Sequence, residues 1–219
     1  MNDLVPPATL LDSKFLIALS DQSAQKAEAI RQLRTHVMAR HVQMGHRALA
    51  ICAASEGVGC TFVAANLAVS LSQIGVNTLL IDANMRRPAM AGIFNYSSPR
   101  PDLRTALATD INFNDCIEEG FLPSLSILFS KAAAADAQEL LAGTRFEALM
   151  NYCLREFDAT IVDTPPANAY SDVRRVSTVV GYSLIVTRRD RSLISDIRNL
   201  TEQLRGDHAE VIGTVLNEG

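Results

Sequence analysis

The sequence predicts an α/β fold, a doubly wound and mostly parallel sheet. Two patterns carry that expectation. Six short, mainly apolar runs recur at 48–54, 78–81, 125–129, 159–162, 183–186 and 211–216, with helical segments between them. Runs of this length without polar alternation are strands buried on both faces, the product of parallel sheets with crossover helices. In addition, Ser55, Asp82 and Asp163 stand just past the ends of three runs. Such sheets bind their ligands beyond the carboxyl ends of the strands.

Each element has its own justification. Residues 1–20 carry Pro6 and Pro7 and little periodicity, and are expected as a mobile leader ahead of one domain over 21–219. A helix is predicted over 22–44, where Ala29, Ile30, Leu33, Val37 and Met38 recur at roughly 3.6-residue spacing. The run 48–54 ends in a glycine-rich turn, and 60–74 reads as a helix stopped by Gly75. Asp82 closes the second run. Residues 136–154 read as a helix with Leu140, Leu141, Phe146, Leu149 and Met150 on one side. Asp163 closes the fourth run, and a helix over 194–204 separates the last two.

Composition narrows the class. At 219 residues one domain is the default. An apolar share of 48%, a charged share of 20% and a net charge of −4 argue against disorder and against general nucleic-acid affinity, which leaves a basic footprint. No apolar run approaches the ~18 residues of a spanning helix, and the N-terminus shows no secretory pattern, so a cytoplasmic location is expected. Cys52, Cys60, Cys116 and Cys153 have no CxxC spacing, which disfavours zinc and disulfides. His36, His41 and His46 lie five apart and are expected on the surface. Lysine is scarce, with only Lys14, Lys26 and Lys131 against seventeen arginines.

Four segments could carry chemistry. In Ser55-Glu56-Gly57-Val58-Gly59-Cys60-Thr61 the glycines allow a tight turn whose N–H groups face inward at a helix N-terminus. Thr61 stands where a P-loop places its magnesium-binding hydroxyl, but Cys60 occupies the lysine position. An ordinary strand–turn–helix connection fits this segment equally well. Asp82, at the tip of a buried run and followed by Arg86 and Arg87, can hold a magnesium-bound water or cap the next helix. Asp163, in Val162-Asp163-Thr164-Pro165-Pro166, has the Walker B arrangement. Glu28, Arg31 and Arg34 form one helical stripe, for which a solvated charged face is the plain alternative. Arg188, Arg189 and Arg191 follow the fifth run near the ligand edge, as a solvated loop or as a phosphate contact.

Together these residues resemble the cytoplasmic domain of bacterial tyrosine kinases of capsule and exopolysaccharide synthesis, within the P-loop NTPase-like, deviant-Walker group. The resemblance runs from about residue 25 to 217. It rests on Glu28-x-x-Arg31-x-x-Arg34, Ala65-Asn66-Leu67-Ala68, Ile81-Asp82 through Arg86-Arg87-Pro88, Val162 through Pro166 with Asp172, Glu139-Leu140-Leu141, and Gly213 through Asn217. It implies ATP or ADP with Mg2+, bound by Gly57, Gly59, Cys60, Thr61 and Asn217. It implies the cation on Thr61, Asp82 and Asp163, and catalytic roles for Asp82 and Asp163. It further implies self-association through Glu28, Arg31 and Arg34, and a membrane copolymerase or chain-length partner holding the chain at the inner membrane.

Three departures define the expected activity. The family lysine is Cys60, the second aspartate of the second motif is Asn84, and the tyrosines Tyr96, Tyr152, Tyr170 and Tyr182 are scattered rather than clustered at the end. The activating membrane segment that the family needs is expected on a partner rather than fused to this domain. A unit charge pair at ~4 Å and an effective dielectric of ~20 is worth about 4 kcal/mol, roughly a thousandfold. A thiol with a reference pKa of ~8.5 does not replace that charge at neutral pH. The expectation is therefore a degenerate, regulatory member that binds nucleotide weakly or not at all. An active tyrosine kinase or ATPase is the alternative. Positioning ATPases of the cell-division type rank last, since they carry the lysine and an amphipathic C-terminal helix.

Overall fold

The computed structural model describes residues 15–19, 24–97 and 99–218. Its chain order begins with α1 (Ala24–Arg40), β1 (Ala48–Cys52), α2 (Cys60–Ser72) and β2 (Thr78–Asp82). Three short helices follow, α3 (Met90–Ile93), α4 (Leu103–Ala108) and α5 (Phe113–Cys116), then β3 (Glu118–Leu122) and β4 (Leu125–Leu128). The rest is α6 (Ala137–Ala142), α7 (Thr144–Glu156), β5 (Ala159–Asp163), α8 (Asp172–Val180), β6 (Tyr182–Arg188), α9 (Ile194–Gly206) and β7 (Glu210–Asn217). The strands form one seven-stranded sheet in the order β3-β4-β2-β5-β1-β6-β7. All neighbours are parallel except β3, which runs antiparallel to β4.

The apolar runs become strands because both sheet faces are covered. Every residue of β1, β2 and β5 is buried. Alternate side chains serve opposite layers, as the two-residue strand period requires. Leu49, Ile51, Leu80 and Ile161 pack under α2, while Ala50, Leu79, Ile81 and Val162 pack with Phe146, Leu149 and Val176 of α7 and α8. Helix α2 is buried continuously from Val63 to Ser72. A helix apolar all round must be covered on both sides, and Leu33 and Val37 of α1 join its outer layer.

The structure differs from expectation in four places. The helix expected over 136–154 is two, because Gly143 is extended (φ −75°, ψ 159°) and ends α6 as it starts α7. The edge strand β3 lacks an apolar run, with Glu118, Glu119 and a left-handed Gly120 in it. Of the expected leader, residues 1–14 and 20 lie outside the described residues. Residues 15–19 belong to the packed domain, with Leu16 and Ile17 buried. There Asn66 of α2 accepts from the Ala18 N–H (3.0 Å) and donates to Phe15 O (2.8 Å) and Phe62 O (2.9 Å). Finally, His41 is not on the surface but 1% exposed, with Nε2 3.0 Å from Ala48 O and Nδ1 unpartnered. Its ring lies against His46 and Tyr182.

Two outcomes follow from this packing. Asn66→Ala is expected to cost about 1–2 kcal/mol, the usual effect of stranding polar partners, read as a lower urea midpoint with faster exchange of the Ala18 amide. Burial is the main cause that lowers His41 from 6.5 to about 4, with His46 adding a smaller push. The unfolded chain therefore takes up this proton first. Stability is full above pH 6.5 and falls as pH drops toward 4, by up to about 3 kcal/mol. Urea midpoints against pH should show that decline, and His41→Gln should remove this share of it.

Candidate functional site

The sheet order sets β2 beside β5, and their parallel register pairs the last residues, Asp82 with Asp163. Both carboxylates are 0% exposed. Asp82 Oδ2 accepts from the Ala89 and Met90 N–H groups (3.2 Å each), and the Ser130 hydroxyl donates to the Asp82 backbone carbonyl (2.7 Å). Asp163 Oδ2 accepts from the Thr61 hydroxyl (2.7 Å). The remaining oxygen of each carboxylate, Oδ1, is buried without a partner. Burial raises the pKa of both groups, and the Asp163 charge raises Asp82 further. The bond from the Thr61 hydroxyl opposes the rise at Asp163.

Two unpaired carboxylate oxygens beside a threonine hydroxyl are hard oxygen donors. Mg2+ takes one or two such carboxylates, with water and substrate phosphates completing its shell. The residues present therefore fit the ion, with Thr61, Asp82 and Asp163 as its protein side. Bound there, the ion would supply neutralising charge to phosphate oxygens.

The turn between β1 and α2 fits a phosphate. Gly57 (φ 71°) and Gly59 (φ 95°) are both left-handed, the region that favours glycine. A Cβ at Gly59 would also run into Asn217 Nδ2. Asn217, at the end of β7, donates to Val58 O (2.9 Å), and Arg188, at the end of β6, donates to Gly57 O (3.2 Å). Below the turn the Cys60 thiol (3.0 Å) and the Thr164 hydroxyl (2.9 Å) both donate to Ile51 O. Burial, then the Asp163 charge, pushes the Cys60 thiol well up, so it is neutral at physiological pH. Above the turn opens a cavity of about 450 Å3, bounded by Ser55, Gly57, Thr61, Asn84, Arg87, Tyr170 and Arg191 among others.

The sequence-predicted residues are thus largely brought together: Gly57, Gly59, Cys60, Thr61, Asp82, Asp163 and Asn217 share one sheet edge. The two arginines after Asp82 are otherwise engaged. Arg86 makes two bonds to the buried Asp172 (2.7 and 3.2 Å), one to Ala135 O, and lies over the Tyr170 ring. Arg87 pairs with Glu56 (2.8 Å) at the exposed cavity mouth. The α1 stripe divides. Glu28 and Arg31 pair on the surface (2.8 Å), while Arg34 turns inward to the Ser70 carbonyl and hydroxyl of α2. Sequence reasoning missed Ser130 and Thr164, which brace strand ends across the fold, and left open whether Arg188 and Arg191 reach a phosphate. Three arginines just past a strand at the ligand edge were the available signal.

Among the described residues no helix is long and apolar enough to cross a membrane. The AAA domain family matches residues 46–204. The chain is 30% identical over 204 residues to the putative tyrosine-protein kinase EpsB of Ralstonia nicotianae, covering 93% of this chain and 27% of that protein. It therefore spans about a quarter of the length of that relative. The crystal structure of the chimerical protein CapA2B2 superposes with a TM-score of 0.85 at 26% identity, covering 96% of this chain and 92% of that one. The kinase domain of Escherichia coli tyrosine kinase ETK gives 0.85 at 28% identity, covering 93% and 79%. Matched by that family model over residues 46–204, the chain belongs to the AAA domain family, and its likeness in sequence and structure is to bacterial tyrosine kinases.

Proposed function

We propose that the chain is a regulatory, kinase-like P-loop module of capsule or exopolysaccharide synthesis and export. It works at the cytoplasmic face of the inner membrane through a membrane copolymerase or chain-length partner. Names among its relatives, such as a putative tyrosine-protein kinase in the cps region of Klebsiella pneumoniae, support the pathway. The observation that carries the regulatory reading is Cys60, a neutral thiol bonded to Ile51 O at the lysine position. With the missing charge worth about 4 kcal/mol, nucleotide becomes a weakly held, magnesium-dependent signal rather than an efficient phosphoryl donor. Asn84, in place of a second carboxylate, points the same way.

Self-association through α1 belongs to this reading. An exposed ion pair such as Glu28–Arg31 contributes less than about 1 kcal/mol within the chain, so it exchanges readily for pairing with a second copy. A second reading, an active tyrosine kinase or ATPase using Thr61, Asp82 and Asp163, is favoured by the two unpaired carboxylate oxygens awaiting a cation.

Two measurements test these statements. Incubated with ATP and Mg2+, the unaltered protein should carry no phosphotyrosine by mass spectrometry. Robust tyrosine phosphorylation that Asp82→Asn abolishes would establish the second reading instead. Arg31→Glu should shift sedimentation toward the monomer, whereas Arg34→Glu also disturbs the α1–α2 contact and is the less clean variant. A sedimentation profile unchanged by Arg31→Glu counts against the α1 interface.

A further inference from the structure

The turn after β6 distributes its arginines unequally. Arg189 pairs with Glu218 (2.7 Å). Arg188 is bonded to Gly57 O. Arg191 comes to the same glycine from the cavity side, and a Cβ on Gly57 would lie 2.6 Å from its Nη1. Its side chain makes no hydrogen bond or ion pair among the described residues, and it bounds the cavity together with Ser55, Gly59 and Thr61. The backbone that presents it is set. Asp190 is left-handed (φ 59°), the Arg191 N–H donates to Arg188 O (3.3 Å), and the Ser192 hydroxyl accepts from the Arg188 N–H (2.9 Å).

The other cations near this edge have fixed partners. Arg86 is held by Asp172, Arg87 by Glu56 and Arg188 by the turn itself. Lys131 bonds to Arg100 O (2.5 Å), away from the cavity, and Lys26 borders a different cavity, beside Phe15 and Ile30. An unpaired guanidinium over a left-handed glycine turn is a forked donor aimed where phosphate oxygens would lie.

We propose that Arg191 binds the phosphates of a nucleotide in this cavity, supplying from the β6–α9 turn the cation that Cys60 does not. The inference rests on the reading that this turn binds nucleotide, and it names the residue that makes such binding possible without the lysine. Arg191 is carried on an exposed turn and must be ordered when phosphate arrives, so the grip is weaker than that of a lysine fixed at a helix start.

Calorimetric titration of the full chain with AMP, ADP and ATP in Mg2+ tests this. Arg191→Ala should weaken ADP and ATP binding about 10- to 100-fold, the range for charge-assisted bonds, and should narrow the preference for ADP over AMP. Arg191→Lys should retain part of the affinity, and Arg189→Ala should match the unaltered protein. Cys60→Lys added to Arg191→Ala should restore binding, which also shows that the double variant is folded. ADP affinity that Arg191→Ala changes less than twofold overturns the inference while leaving nucleotide binding intact. No detectable binding of ADP or ATP by the unaltered protein overturns the inference and the nucleotide part of the proposed function together.

Discussion

Two carboxylates buried side by side at the ends of adjacent strands constrain everything around them. Strand order puts β2 against β5, and parallel register makes Asp82 and Asp163 neighbours with no solvent to screen them. Two negative charges in that setting are not tolerated without a proton or a cation. The local structure meets only half of the demand. Backbone amides of α3 and its approach serve one oxygen of Asp82, and the Thr61 hydroxyl serves one of Asp163. The other two oxygens stay unserved. Such a pair weakens the fold rather than strengthening it, which is the electrostatic mark of a candidate binding site.

The phosphate turn is held by the other half of the sheet. Asn217 and Arg188, at the ends of β7 and β6, fix two successive carbonyls of the turn, and Cys60 and Thr164 anchor to β1 from below. The turn conformation therefore depends on strands that lie on either side of β1. Asn217 also borders a second cavity of about 660 Å3, whose other wall includes Ile30 and Leu33 of α1. The helix that carries Glu28 and Arg31 and the glycine turn between β1 and α2 are thus separated by one shared wall.

What was legible in the sequence was the chemistry of strands. β1, β2 and β5 are buried on both faces, so their residues are mainly apolar, with Thr78 and Thr160 the exceptions before the carboxylates, and a carboxylate ending such a run is conspicuous. β3 was not legible because it is an edge strand, where Glu119 and Gly120 are exposed and Glu118 accepts from the Tyr96 hydroxyl. The break at Gly143 was hidden because the apolar stripe of α7 continues the phase of α6. The pair between Arg86 and Asp172 spans 86 residues of sequence, and only the fold reveals that the buried acid removes this arginine from the phosphate site. His41 was misread because five-residue spacing describes a helix surface, whereas the chain leaves α1 at Arg40 and turns His41 under Ala48.

Cys60 ties these features into one energetic argument. In a turn that keeps its lysine, phosphate has a cation at hand whether or not a metal is present. Here the thiol is neutral and bonded to Ile51 O, so on the proposed reading Asp82, Asp163 and Thr61 would receive a cation with no lysine beside them, and Arg191 would be the charge left for phosphate. Without that cation the Asp82–Asp163 pair would oppose phosphate. On that reading cation and nucleotide would each raise the affinity of this site for the other, and by thermodynamic reciprocity by the same factor. A lysine in place of Cys60 would loosen that coupling, because it would serve the phosphates unconditionally. With Cys60 at the lysine position, that reading has nucleotide and cation held jointly rather than nucleotide held by itself.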